Sequence, residues 1–446
     1  MLPLQFHLVL IGGGHAHVYL LKEYGSRKWR SFCQKYNVQV HVTLITRDLH
    51  TPYSGMLPGF VAGHYTYEEM HINLVKLCLF SNVTFHHAEA CRVTYDAGPL
   101  PSGKVFCTPQ SSNEGSPLYF DALSIDIGSS PSPIHSSIID HPKIISVKPI
   151  SQFCEFYLKM WERESNHNRI AADHQDETQE PLKNENSNSR DESLEQDQPL
   201  QVVIVGGGAG GVELALSVQY HLEKKMRRSI EMTLVTKGSS LLSEHNAGVQ
   251  EKVKRIYKRK KVKVVCDFPV SKTEDNSLVS ELQLETGSVN RRAIPFDFCI
   301  FCTTANGATW LQESTPFPCS DRGFVLTNAT LQVIGHPGVF AAGDCCDNID
   351  HPRPKAGVFA VRAGPPLFKN LKLYISAKTK RKRPRSSQQS IPPLVHYVPQ
   401  STFLGLLSTG DHFAIASYGS YISFQGRWVW KWKNRIDRKW MKQYSW

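Results

Sequence analysis

No stretch of this chain strings together the roughly 18 apolar residues that a membrane-crossing helix needs. Its start lacks the pattern of a secretory signal, and a glycine-rich loop follows Met1 too closely to leave room for a transit peptide. The 11 cysteines lack the even, regular spacing of a secreted disulfide framework, which points to a reducing compartment. These absences set the expected location as cytoplasmic, or peripheral at an organelle membrane. Acidic residues are also short: 40 stand against 51 basic ones, a net charge of +11. That surplus suits nucleic acid, an anionic membrane surface or a dispersed basic surface, and clustering decides among them. A hydrophobic fraction of 41% and an aromatic fraction of 10% are ordinary for a soluble globular protein. A length of 446 residues suggests about three domains.

What is present begins with Leu8-Val-Leu-Ile-Gly-Gly-Gly-His-Ala-His-Val-Tyr-Leu-Leu21. Four apolar residues suit a buried parallel strand, the glycines a tight turn, and the rest an apolar-periodic helix. Gly12 permits the turn, Gly14 lets the backbone approach a pyrophosphate, and the helix N-terminus offers its N–H groups. The third glycine of the usual pattern is missing, and His17 stands in its place. His15 and His17 enter the helix at positions that do not share a face, so no metal site is expected there. Val38–Thr46 alternates as a second strand. A dinucleotide domain usually ends that strand in an acidic ribose ligand. Here Thr46-Arg47-Asp48 leaves two options, Asp48 on a ribose or Arg47 on a phosphate. The turn-rich loop 52–59 follows, placed where ligands meet the carboxyl ends of a parallel sheet. The strand within 120–131 breaks at Gly128, which allows close passage of a ligand.

The motif then recurs in full at Val202-Val-Ile-Val-Gly-Gly-Gly-Ala-Gly-Gly-Val-Glu213. Gly206, Gly208 and Gly211 carry the three-glycine spacing, and 231–237 supplies the second strand. Thr236-Lys237 stands where the acidic ligand is expected, so NADPH is admitted alongside NADH. Phe296-Asp297 and its strand mirror Phe120-Asp121, an internal repeat that argues for two similar nucleotide-binding units. Between them, residues 167–200 are dominated by Asn, Asp, Glu, Gln and Ser, and read as a disordered insertion. Residues 376–390 form a second polar insertion centred on the basic run 378–385, a nuclear or anionic-surface signal on one reading and a solvated loop on the favoured one. Near the C-terminus Trp432, Ile436, Trp440 and Tyr444 recur at i+4 among basic residues. That stripe suits either a membrane-surface helix or a helix docked on the protein's own core.

Together the two loops, the paired Phe-Asp strands and Phe340-Ala-Ala-Gly-Asp344 resemble the flavoprotein oxidoreductases with two dinucleotide-binding domains (the pyridine nucleotide-disulfide oxidoreductase superfamily). The stretches 12–17, 53–59, 126–128, 354–362 and 397–400 resemble one subgroup, the type II NADH dehydrogenase-like proteins that also occur fused to selenide, water dikinase. The resemblance implies an α/β fold of two nested Rossmann-like domains with a smaller C-terminal α+β region. It divides the chain into 1–150 and 319–375 (FAD domain), 151–200 (linker), 201–318 (NAD(P)H domain), 376–390 (basic insertion) and 391–446 (C-terminal region). It implies FAD held by Gly12, Gly14, His15, Ala16, Thr46, Arg47, Asp48, Gly55, Gly128, Gly343, Asp344 and Lys355. It places NADH or NADPH on Gly206, Gly208, Ala209, Gly210, Gly211, Glu213, Thr236 and Lys237, with Glu213 near the nicotinamide.

The implied reaction passes a hydride from NAD(P)H to FAD and electrons onward to a small-molecule acceptor, with a quinone among the candidates. Arg362 and Ala363 stand where the subgroup carries its quinone-pocket glutamines, which counts against a quinone. The second unit's usual Ala-Thr-Gly turn reads Thr303-Thr-Ala305. A thiol/disulfide reductase using Cys345 and Cys346 is the first alternative, and a flavin-bearing interaction protein without turnover the second. Cys299 and Cys302 have CxxC spacing, but within an apolar strand they read as structural thiols. No nucleic-acid partner is expected, and contact with a membrane surface through the C-terminus is an open option.

Overall fold

Strand Leu4–Ile11 is the centre of a five-stranded parallel sheet, in the order Val339–Ala341, Ala122–Ile125, Leu4–Ile11, Val38–Thr46, Thr84–His87. The structure is a computed structural model that describes residues 2–108, 116–132, 136–160, 198–283, 288–382 and 393–444. Both faces of the central strand are covered, which is why it reads as a continuous apolar run. Phe6, Leu8 and Leu10 fall in one buried cluster, Val9 and Ile11 in another. A second parallel sheet repeats the layout in the order Ile144–Ser146, Phe298–Phe301, Leu200–Val205, Ile230–Val235, Lys263–Val265. The fold is therefore α/β with two Rossmann-like units.

The Phe-Asp repeat has a physical role. Asp121 donates its N–H to His7 O at 2.7 Å, and its carboxylate accepts the His7 N–H at 2.9 Å. Asp297 makes the same exchange with Gln201, at 2.8 Å in each direction. Each aspartate thus satisfies backbone groups at the start of its glycine-loop strand, and the preceding Phe120 or Phe296 is buried.

Three assignments differ from the sequence reading. Strand Ile144–Ser146 pairs with the second sheet, although it falls within residues 1–150. Residues 150–160, placed at the boundary and head of the linker, are helical and bury Phe153 and Tyr157. Residues 161–197, and with them most of the polar insertion 167–200, lie outside the described residues. The third difference is helix Gly357–Arg381, which runs into the basic insertion. Lys378 is 3% exposed there and meets the Asp121 carboxylate, itself 2% exposed, at 3.1 Å. Lys382 binds the same oxygen at 2.8 Å. A lysine run reads as a solvated loop from composition alone. It turns inward here because a buried carboxylate waits at the far end of the first sheet. Residues 383–392 lie outside the described residues.

Three antiparallel strands, Leu404–Ser408, Ala414–Tyr418 and Ile422–Gly426, lead into the terminal helix Arg427–Met441. Removing one partner of a buried ion pair strands the other charge, at a cost of about 3–5 kcal/mol. Asp121→Ala is expected to cost that much in denaturant unfolding. Lys378→Met, which leaves Asp121 paired to Lys382, should cost less than about half of it. Equal, small losses for both would contradict the buried pairing.

Candidate active site

A cavity of about 730 Å³ opens at the carboxyl ends of the first sheet, within the usual range for small-molecule sites. Its wall includes Gly12, Gly14, His15, Thr46, Arg47, Asp48, Asp126, Gly128, Asp344 and Lys355, together with Ala209, Gly210 and Glu213 from the second unit. The turn after each Phe-Asp strand joins the units, with Ser130–Pro131 pairing antiparallel to Ala305–Asn306. The altered Thr303-Thr-Ala305 turn is thus part of the contact between them.

The first loop turns with Gly12 at φ +92, and a Cβ there would stand 2.4 Å from the Asp126 carbonyl. Only glycine fits that backbone. The Gly14 N–H donates to the Asp126 carbonyl at 2.9 Å. The N–H groups of Ala16 and His17 donate to the Asp126 carboxyl at 2.8 and 3.2 Å. Ala16 is absent from the cavity wall, and its N–H is engaged by Asp126. His17 is fully buried and burial holds its pKa down to about 4, so the ring is neutral. The Gly12 carbonyl, 2.7 Å from Nδ1, can only accept, so Nδ1 carries the proton. Nε2 then accepts from the Ser124 hydroxyl at 2.8 Å. His17 therefore ties the loop to the neighbouring strand, where a third glycine would only allow close packing.

His15 faces the cavity. Burial holds its pKa down to about 4, and its Nδ1 is buried without a hydrogen-bond partner. Tyr53 and Trp440 stand edge-on to its ring, at 5.6 and 5.0 Å between centroids. Where the second strand ends, the Asp48 N–H donates to the Thr46 hydroxyl at 3.2 Å. Arg47 lies 3.1 Å from Glu89 and 3.7 Å from Asp48, whose carboxyl burial pushes up. Asp344 pairs with Lys148 at 3.1 Å, and Lys355 with Asp347 at 2.6 Å. Gly55 and Gly343 are not on the cavity wall. The Gly55 carbonyl accepts from Lys433, and Gly343 is pressed against the Asp126 carboxyl.

The second loop repeats the geometry, with Gly206 at φ +135 and a Cβ position 2.1 Å from the Cys302 carbonyl. Ala209, Gly210 and Glu213 reach the shared cavity, whereas Gly206, Gly208, Gly211, Thr236 and Lys237 do not. Thr236 is buried and accepts from the Gly238 N–H at 3.2 Å, and Lys237 is exposed. Glu213 accepts the Ser408 N–H at 2.7 Å, and burial pushes its carboxyl up to about 7 against the pull of Lys433.

The terminal helix divides the aromatic stripe read from the sequence. Trp440 stacks on Tyr53 at 4.5 Å and Tyr444 is buried, while Trp432 and Ile436 face outward with Trp428. Its inward face is Val429, Lys433, Asp437 and Met441, with Lys433 and Asp437 paired at 2.9 Å. Arg362 is exposed and Ala363 buried, and neither lines the cavity. Cys345 and Cys346 are also buried off the cavity wall, with thiols directed at the carbonyls of Ala342 and Gly343. Cys299 lies within its strand, fully buried.

Sequence reasoning missed Lys148, Lys433 and Asp437, and named Asp126 only as part of a motif. The i,i+4 Lys–Asp spacing on a basic helix was the available signal for the second pair. Lys148 belongs to no recognisable pattern.

The family model of the pyridine nucleotide-disulphide oxidoreductases matches residues 6–364. Among curated proteins, Ferroptosis suppressor protein 1 of Homo sapiens is 29% identical over 151 residues, covering 33% of this chain and 39% of that protein. The Alternative NAD(P)H-ubiquinone oxidoreductase C1, chloroplastic/mitochondrial, of Arabidopsis thaliana is 29% identical over 155 residues, 32% of this chain and 29% of that protein. The matched segment thus spans well under half the length of these relatives. Among solved structures, the sulfide:quinone oxidoreductase of Aquifex aeolicus aligns over 98% of this chain and 91% of its own, with TM-score 0.68 and 16% identity. NDH2 of Plasmodium falciparum in complex with NADH aligns over 98% of both chains, with TM-score 0.64 and 14% identity. At such identities the likeness is one of fold. The chain belongs to the pyridine nucleotide-disulphide oxidoreductase family and fits its NADH dehydrogenase-like members.

Proposed function

We propose that this protein is an FAD-dependent oxidoreductase that takes a hydride from NAD(P)H and passes electrons to a small-molecule acceptor of the quinone class. One observation carries the reading: a single cavity is bordered by the first glycine loop, at Gly12 and Gly14, and by the start of the helix that follows the second, at Ala209, Gly210 and Glu213. Two nucleotide cofactors held there would have their reactive ends together, which is what direct hydride transfer requires.

The residues present suit a flavin dinucleotide. Gly12, Gly13 and Gly14 border the cavity with bare backbone, which is what close approach to a diphosphate requires. The buried, unpartnered His15 Nδ1 offers a polar atom on the cavity wall. In this reading Gly12, Gly14 and His15 hold the diphosphate, Thr46, Arg47 and Asp48 the ribose end, and Asp344 with Lys148 the ribityl end. Bound FAD supplies the hydride acceptor, which no side chain can be. Glu213, on the helix behind the second loop, borders the nicotinamide position. Thr236, beside Gly207, and Lys237 follow the second strand of that unit, where no carboxylate stands to repel a 2′-phosphate, and they leave both NADH and NADPH admissible.

A quinone is supported by the similarity to the NAD(P)H-ubiquinone oxidoreductase of Arabidopsis thaliana. It is supported independently by the terminal helix. Trp428, Trp432 and Ile436 are exposed at i+4 steps, flanked by exposed Lys431, Arg435 and Lys439. Such a face suits an anionic bilayer surface, where a lipid-soluble acceptor resides. Among the described residues no helix is long and apolar enough to cross a membrane.

Two outcomes follow. A Cβ at Gly211 would stand 1.9 Å from the Gly206 carbonyl. Gly211→Val is therefore expected to keep the flavin yet slow its anaerobic reduction by NAD(P)H by at least roughly 100-fold. Loss of colour in purified wild type would contradict the flavin reading. Replacing Trp428, Trp432 and Ile436 together with Ser should weaken sedimentation with anionic vesicles by about tenfold or more. Unchanged sedimentation would remove the membrane face from the account.

A further inference from the structure

Asp126 sits behind the first glycine loop, on the turn that follows strand Ala122–Ile125. It is 1% exposed, and Oδ2 accepts the N–H groups of Ala16 at 2.8 Å and His17 at 3.2 Å. Built Cβ atoms at Gly14 and Gly343 would come within 2.4 Å of its carboxyl, so two backbone segments press on it. The titratable and charged groups around it are His15 and His17 on the helix, Asp344, Cys345 and Cys346 on the next turn, and Lys148 and Lys355 on the cavity wall. Burial keeps both histidines neutral. Both lysines are engaged elsewhere, Lys148 with Asp344 at 3.1 Å and Lys355 with Asp347 at 2.6 Å. Among the described residues, no ion pair reaches Asp126. Burial pushes its carboxyl up to about 8 against the opposing pull of the His17 and Ala16 N–H groups, and Cys346 and Asp344 add to the rise.

This carboxyl borders the loop on which the flavin reading places a diphosphate. We propose that Asp126 couples flavin binding to a proton, so that the diphosphate binds at Gly12–Gly14 when Asp126 is neutral and is weakened when Asp126 ionises. The inference rests on the flavin reading of the cavity. A carboxylate and a diphosphate repel across a desolvated loop, and the wall cations Arg47, Lys148 and Lys355 are already paired with Glu89, Asp344 and Asp347. The neutral acid keeps Oδ2 as an acceptor for the two helix N–H groups and gains an O–H donor.

Linkage fixes the sign. A ligand that prefers the protonated form binds with level affinity below the free group's pKa and weakens above it, by up to tenfold per pH unit. With a carboxyl at about 8, the loss sets in above about pH 8. Binding in that window takes up a proton from solvent.

The test is FAD affinity of flavin-stripped protein, read by flavin fluorescence quenching from about pH 6 to about pH 9.5. Wild type is expected to weaken by roughly 30-fold across that range, and Asp126→Asn by less than about threefold. Should the Asn variant fail to fold, calorimetric titration of wild type in buffers of different ionisation enthalpy gives the proton count. Uptake of roughly three quarters of a proton per flavin at about pH 8.5 is expected. A flat wild-type profile, an unchanged slope in Asp126→Asn, or no proton uptake overturns the coupling while leaving the flavin reading intact. Failure to bind FAD at any pH overturns the flavin reading itself.

Discussion

The backbone of a glycine loop passing within van der Waals contact of the neighbouring strand's end is the constraint on which the rest of this structure depends. In the first unit Gly12 donates to Ile45 O at 2.8 Å, Asp126 donates to Ile11 O at 2.8 Å, and a Cβ at Gly12 would be 2.4 Å from the Asp126 carbonyl. In the second unit Gly206 donates to Val235 O, and Cys302 to Val205 O, each at 2.8 Å, with the corresponding clearance only 2.1 Å. The same three strands and the same pinch recur. The pinch aims each helix N-terminus at the space above the sheet, where anions are favoured.

What differs between the two pinches gives each loop its character. Cys302 presents an apolar neighbour, and the second loop keeps its full set of glycines. Asp126 presents a carboxyl that claims two helix N–H groups, and His17 locks the same turn to Ser124. The first loop is thus held by polar groups inside a desolvated wall, where an unmatched charge is expensive. The terminal helix adds to this. Its Lys433 reaches the Gly55 carbonyl and its Trp440 stacks on Tyr53 beside His15, so one helix backs the His15 side of the cavity while Trp428 and Trp432 face outward.

The two units were legible because their signals are local: strand, glycine spacing, helix and second strand follow one another within about 30 residues. The Phe-Asp repeat was legible as repetition, though its backbone exchange with His7 and Gln201 was not, since it joins residues far apart in sequence. Gly12, Gly14, His15, Asp48, Gly128, Asp344 and Lys355 were named from motifs and line one cavity. Ala16, Gly55 and Gly343 were named from the same motifs and do not, because a motif fixes which segment is near a ligand but not which atoms are already bonded. Lys378 shows the reverse error. Its charge suggested solvent, and only the folded sheet reveals the carboxylate that brings it inside. Trp440 and Trp432 shared a sequence stripe, yet the helix is rotated so that one meets Tyr53 and the other solvent.

The claim that two nucleotide sites meet in one cavity is tested most directly by anaerobic single-turnover reduction of the bound flavin. The comparison is between NAD(P)H protiated and deuterated at the transferred position of the nicotinamide ring. Direct hydride transfer within the cavity is expected to give a primary isotope effect on flavin bleaching, lost in step with the rate in Gly211→Val. A flavin that stays oxidised with both NADH and NADPH would contradict the account.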